Sequence, residues 1–155
     1  MPKQSAGILL YRKLHKQPEV LLVLPGGPYF AGKDAGSWTI PKGEFTEEEA
    51  PLHAAIREMV EETGYQPTGT FISLTPIKQK GGKIVHCWAV AGDLDADSIV
   101  SNTFELEWPP RSGKRQSFPE IARAAWFTID TATRKINERQ QPLLEELAQR
   151  LSQQD

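Results

Sequence analysis

The sequence predicts an α/β protein in which a mixed sheet lies between helices. Three observations carry that expectation. Two apolar runs of β character, SAGILLY at residues 5–11 and EVLLVL at 19–24, stand close together near the start of the chain. The longest helical pattern, residues 46–64, follows the third strand-like segment. Strand and helix patterns then stay intermixed to the end, and interleaving of that kind places helices on the faces of a sheet.

The elements follow in order. Residues 5–11 and 19–24 flank a polar turn containing Lys16, Gln17 and Pro18, and read as a buried hairpin or two neighbouring strands. Residues 25–37 (PGGPYFAGKDAGS) form a Gly- and Pro-rich loop. Trp38-Thr39-Ile40 is a short strand running into Pro41-Lys42-Gly43. The long helix has Thr46 as N-cap and Glu49 three residues later, the capping-box arrangement. Pro51 falls in its first turns, where a missing N–H costs little. Leu52, Ala55, Ile56, Met59 and Val60 recur at helical spacing as a core-facing stripe, with Glu58, Glu61 and Glu62 largely outside it. Gly64 is placed as C-cap.

Residues 68–78 and 83–91 are β-rich, with Gly81-Gly82 as a tight hairpin turn. Residues 103–108 read as a further strand and 109–120 (PPRSGKRQSFPE) as a basic, Pro-bounded loop. Residues 124–129 are a final strand. Residues 130–139 and 142–153 are helical. The second helix carries Leu143, Leu144, Leu147 and Leu151 on one face, which is expected to dock within the chain.

At 155 residues the chain is expected to be one domain, 1–155, able to bury a core. A formal net charge of −2 gives no electrostatic case for wrapping duplex nucleic acid. The single cysteine, Cys87, excludes an internal disulfide and reads as a small core residue in a reducing cytosol. No apolar run approaches the roughly 18 residues that span a bilayer, so no membrane partner is expected. The first residues are too brief an apolar patch for a signal peptide. Cytoplasmic location follows by default, and the oligomeric state stays open between monomer and homodimer.

The chemistry concentrates in residues 43–65, GEFTEEEAPLHAAIREMVEETGY. Residues at i, i+3 and i+4 share a helix face, so Glu58, Glu61 and Glu62 crowd together beside Arg57. Like charges side by side destabilise a helix unless a cation sits among them. The usual candidate for hard oxygen ligands is Mg²⁺ or Mn²⁺, which normally serves phosphate chemistry.

The spacing of Gly43, Glu49, Arg57-Glu58, Glu61-Glu62 and Gly64 resembles the signature of the Nudix hydrolases, with Tyr65 standing where an aliphatic residue is usual. The resemblance implies an α/β/α sandwich and hydrolysis of a nucleoside diphosphate linked to another group, with Mg²⁺ (or Mn²⁺) as cofactor and a small-molecule nucleotide as substrate. It implies Glu58, Glu61 and Glu62 as metal ligands, and Gly43 as a ligand through its carbonyl. Glu58 also becomes the residue that orients or deprotonates the attacking water. Arg57 would hold a glutamate of the set by ion pairing. Glu49 either pairs with Arg57 or caps the helix.

Members of this family often add a carboxylate from a distant loop. Glu120 is the first choice, with Glu105 and Glu107 as alternatives. Lys42, beside the metal loop, is read as a phosphate contact and otherwise as a surface lysine. Arg111 and Lys114, with Arg115, either grip outer phosphates or line a solvated loop. Tyr29, Phe30, Trp108 and Phe118 either stack on a base or pack. His53 and His86 receive no role. The lead-in Trp38-Thr39-Ile40-Pro41-Lys42-Gly43-Glu44 is similar to that of members acting on nucleoside triphosphates and dinucleoside polyphosphates, the expected substrate classes. The alternative is a module that binds nucleotide without turnover.

Overall fold

The computed structural model describes residues 3–153. The expected domain span of 1–155 therefore includes residues 1, 2, 154 and 155, which lie outside the described part. Strands β1 (Gln4–Leu14) and β2 (Gln17–Pro25) form an antiparallel hairpin with Leu14 opposite Gln17. The turn is His15-Lys16, both at positive φ (53° and 68°), the backbone of a two-residue type I′ loop. The turn begins one residue earlier than its composition suggested, and Gln17 and Pro18 belong to β2.

Next come β3 (Lys42–Glu44), α1 (Pro51–Thr63), β4 (Ile72–Ser73), β5 (Ile77–Lys78) and β6 (Ile84–Ala91). β1 pairs with β6 in parallel and with β2 and β3 antiparallel, which makes the sheet mixed. The order is β4-β6-β1-β2-β9, with β9 at Ile121–Thr128, β3 attached to β1 and β5 to β6. β7 (Thr103–Glu107) and β8 (Arg115–Pro119) form a separate two-stranded hairpin. Helices α2 (Ile129–Lys135) and α3 (Gln141–Gln153) close the chain.

β1 is buried on both faces. Ala6, Ile8 and Leu10 join Leu21, Val23, Ala54, Ala55 and Met59 on the α1 side. Leu9 joins Val20, Leu22, Trp38, Leu143, Leu144 and Leu147 on the α3 side. A strand wedged between two helical layers needs apolar side chains at every position, which is why this run does not alternate. The leucine face of α3 docks within the chain as expected. Among the described residues, no helix is long and apolar enough to cross a membrane.

Three local expectations are corrected. The helix α1 starts at Pro51 with Ala50 as N-cap and no side-chain cap. The Thr46 capping box does not form, because the Glu49 side chain is drawn to Arg57 instead. Trp38-Thr39-Ile40 makes only isolated bridges, Thr39 to Val23 and Trp38 to Ile136, rather than a strand. Half of the basic 109–120 loop is strand: Phe118 pairs with Phe104 and Arg115 with Glu107 in the β7–β8 ladder.

Candidate active site

The site is built where α1 crosses β3. Gly43 lies opposite Ala6 on β1, and any Cβ added to it would overlap the Glu58 carboxylate. A glycine there lets the helix come close enough to lay Glu58 over the strand. The consequence is a rotation of the helix relative to its apolar stripe. Glu58 and Glu62 are buried, at 9% and 6% exposure, together with Ala54, Ala55, Met59 and Thr63. Leu52, Ile56 and Val60 are only half-buried. The two glutamates thus lie inside the buried face rather than outside it. At the other end Gly64 takes the left-handed conformation (φ 82°) expected of a C-cap.

Arg57 organises the charges. Its Nε and Nη2 donate to the two Glu49 oxygens at 2.8 and 2.9 Å, a two-pronged ion pair. Its Nη1 donates to Glu58 Oε1 at 2.9 Å and to both Glu61 oxygens at 3.3 Å. Glu49 is therefore an Arg57 partner and not a cap. The Arg57 hydrogen bonds hold the Glu49 carboxyl down at about 2. They also keep the guanidinium firmly charged, Glu49 contributing most.

The opposite happens one turn along. Burial, then Glu58, then Glu120 push the Glu62 carboxyl up to about 9, against the opposing pull of the Lys42 ammonium and its backbone N–H. Burial and Glu61 raise Glu58 as well, with Arg57 pulling back and Glu120 adding to the rise. Glu120, on the bend between β8 and β9, thus acts on both buried acids. A backbone relay sets its position. Asn102 N–H donates to Glu61 C=O at 3.1 Å, and Glu120 N–H donates to Asn102 C=O at 2.8 Å. Gly26 N–H donates to Glu120 C=O at 2.8 Å from the other side. No motif in the sequence marks Asn102; its role rests on main-chain bonds any residue can make.

Glu105 and Glu107, the alternatives to Glu120, point away on the exposed face of β7. Glu105 lies 3.9 Å from Arg115, and Glu107 accepts from the Arg111 backbone N–H. Lys42 is half-buried beside the acids, and burial and Lys83 lower its pKa while Glu62, Glu44 and Glu58 oppose. Arg111 and Lys114 are not brought to the acid cluster; both are exposed at the tip of the β7–β8 hairpin.

The donor set suits a hard divalent cation: carboxylate oxygens only, two of them on buried side chains, beside a glycine cradle that any Cβ would fill. The cradle is half-closed. Among the described residues, no three His, Cys, Asp or Glu side chains converge into a metal cage. Glu61 is drawn to Arg57, so the cation seated between Glu58 and Glu61 is the guanidinium. Clustered carboxyl groups that gain from a counter-charge are the arrangement used to bring divalent metal and phosphate together.

Known proteins agree with that class. A family model for the NUDIX domain matches residues 1–147, and the chain belongs to the Nudix hydrolase family. Its fold is similar to that of a C. elegans Ap4A hydrolase binary complex (TM-score 0.69, 22% identity, 96% of this chain and 98% of that chain). It is also similar to the NUDIX domain of Shewanella oneidensis NrtR complexed with ADP ribose (TM-score 0.66, 17% identity, 97% and 89%). A NUDIX hydrolase from Nitrosomonas europaea matches at TM-score 0.59 and 19% identity, over 96% and 87%. At these identities the likeness is one of fold.

Proposed function

We propose that the protein hydrolyses a pyrophosphate bond in a nucleoside diphosphate-linked compound, a nucleoside triphosphate or a dinucleoside polyphosphate, with Mg²⁺ or Mn²⁺. The observation that carries this reading is geometric: Gly43 lets the Glu58 carboxylate lie over β3, with Glu62 buried one turn along the same helix face. Glu58, Glu61, Glu62 and the Gly43 carbonyl are the residues to hold the metal. When bound, the metal supplies charge neutralisation on the phosphates and an acidified water. Glu58, or Glu120 from a second element close enough to raise both buried acids, is the group to take a proton from the attacking water. Arg57 positions Glu58 by ion pairing and holds Glu61 until a metal competes for it. Lys42, on the same loop as Gly43, is the phosphate contact.

The whole of 1–155 is proposed as one catalytic domain in the cytoplasm. A second reading, nucleotide binding without turnover, draws on the Glu61–Arg57 contact, which leaves the metal set half-formed. A panel of nucleotides with Mg²⁺, read by phosphate or pyrophosphate release, separates the two. Wild type is expected to turn over at least one diphosphate. Glu58→Gln is expected to lose roughly 10²- to 10⁴-fold in kcat, the usual worth of a positioned acid–base group. Tight nucleotide binding with no metal-dependent turnover decides for the binding module.

A further inference from the structure

Ser101 carries no charge and belongs to no motif, yet the bend that presents Glu120 is tied through its hydroxyl. The segment 100–102 lies against the end of α1. Val100 N–H donates to Thr63 C=O and Asn102 N–H to Glu61 C=O, each at 3.1 Å. Those carbonyls belong to the last turn of the helix, where C=O groups have no intrahelical donor left. The segment thus caps the helix that carries the acids, and its position is set by that helix.

The start of β9 hangs on the same segment. Ile121 N–H donates to Ser101 Oγ at 3.0 Å, and the Ser101 hydroxyl donates to Asn102 C=O at 2.8 Å. That carbonyl also accepts from Glu120 N–H at 2.8 Å. One hydroxyl therefore takes the N–H of Ile121 and steadies the carbonyl that holds Glu120. The Ile121 side chain is buried in the core beneath α1, with Leu21, Val23 and Met59, so an unpaired N–H there would be costly.

The regular ladder is interrupted at this point. Arg123 lies opposite Leu24 but Ile121 lies opposite Pro25, which makes Ala122 the extra residue of a bulge. A bulge takes main-chain groups out of the ladder and re-aims a side chain. Here the freed peptide is gripped from both sides. Gly26 N–H donates to Glu120 C=O at 2.8 Å, and Ser101 Oγ accepts from the Ile121 N–H of the same peptide at 3.0 Å. Gly26 is needed for that approach, since a Cβ on it would overlap the Pro119 carbonyl. Holding both ends of the 120–121 peptide plane fixes the backbone rotation at Glu120, and with it the direction of the side chain. Glu120 is half-buried and close enough to α1 to raise the carboxyls of Glu58 and Glu62.

We propose that Ser101 is a positioning residue: its hydroxyl fixes the peptide after Glu120 and so aims the Glu120 carboxyl at the acids of α1. This deepens the hydrolase reading and rests on it for the place of Glu120 at the reacting centre. Ser101 touches no reacting atom and acts through Glu120 alone.

A double-mutant cycle on nucleotide turnover in Mg²⁺ tests it, together with amide hydrogen exchange of the metal-free protein followed by NMR. Ser101→Ala is expected to lower kcat about 10- to 100-fold, the cost of a misaimed group. In the Glu120→Gln background the same substitution should cost nothing further, because the route from Ser101 to the chemistry is already cut. Ser101→Thr keeps the hydroxyl and should restore most of kcat. The Ile121 amide should exchange faster in Ser101→Ala and at the wild-type rate in Ser101→Thr. A kcat unchanged by Ser101→Ala overturns the proposal. So does an equal loss in both backgrounds, which would mean a general loosening of the fold, and so does an Ile121 amide blind to the substitution. Any of these with normal wild-type turnover leaves the hydrolase reading standing. A wild type that turns over no nucleotide, with Ile121 exchange that still follows the hydroxyl, sinks the hydrolase reading and leaves Ser101 as the brace of Glu120.

Discussion

Helices α1 and α3 have the same length, 13 residues, and lie on opposite faces of one sheet, yet they bury opposite chemistry. α3 buries four leucines and keeps Glu145 and Arg150 exposed. α1 buries two alanines, a methionine, a threonine and two glutamates. The first arrangement is what a helix does to stabilise a fold. The second costs desolvation free energy that the apolar face must offset, and it persists because Gly43 and Arg57 shape the contact. One helix is the foundation and the other carries the candidate site at the expense of stability.

Four measurements sharpen or break that contrast. The largest effect belongs to α3. Leu147→Ala, at a fully buried position, is expected to lower unfolding free energy by about 2–5 kcal/mol by denaturant titration. A loss below about 0.5 kcal/mol would deny α3 its foundation role. Next, Arg57→Ala removes the brace of Glu49, Glu58 and Glu61 at once. Metal affinity or kcat should fall about 10- to 100-fold. Arg57→Lys should recover little, because an ammonium cannot grip Glu49 with two prongs.

The third is a pH series of metal-free melting temperature. Glu62, held up at about 9 against an ordinary 4.5, binds its proton more tightly when folded. Its contribution to stability is therefore greatest below about 4.5 and declines as pH rises toward about 9. Glu62→Gln should flatten that decline, and Mg²⁺ should reverse it by lending the buried carboxylate a counter-charge. Glu49 has the opposite sign. Held at about 2 by Arg57, it contributes above about 4.5 and loses its contribution as pH falls toward about 2. Stability independent of pH between 5 and 9 in wild type would contradict the buried-acid account. The smallest effect is Thr46→Ala. With no cap made by this side chain, stability should change by less than about 0.5 kcal/mol; a loss near 1 kcal/mol would restore the capping box.

Some of the site was legible before any coordinates. The helical spacing of Glu58, Glu61 and Glu62, the Gly64 stop and the leucine row of α3 are local periodicities, and local periodicity survives folding. The same reasoning misplaced the helix start, because Thr46 and Glu49 satisfy a capping rule that a stronger Arg57 partner overrides. It also read residues 109–120 as one loop, since exposed polar residues in a hairpin look like loop until the partner strand β7 is known.

By itself, then, the order of residues determined the family, the mixed α/β character and the clustering of the glutamates on one helix, because each depends on spacing along the chain. Tertiary structure alone decided which acids are buried, that Arg57 seats itself between Glu58 and Glu61, and that Glu120 rather than Glu105 or Glu107 faces them. Those outcomes depend on how β3, α1 and the Asn102 segment approach one another. Burial and charge proximity are properties of that approach, and no single stretch of chain contains them.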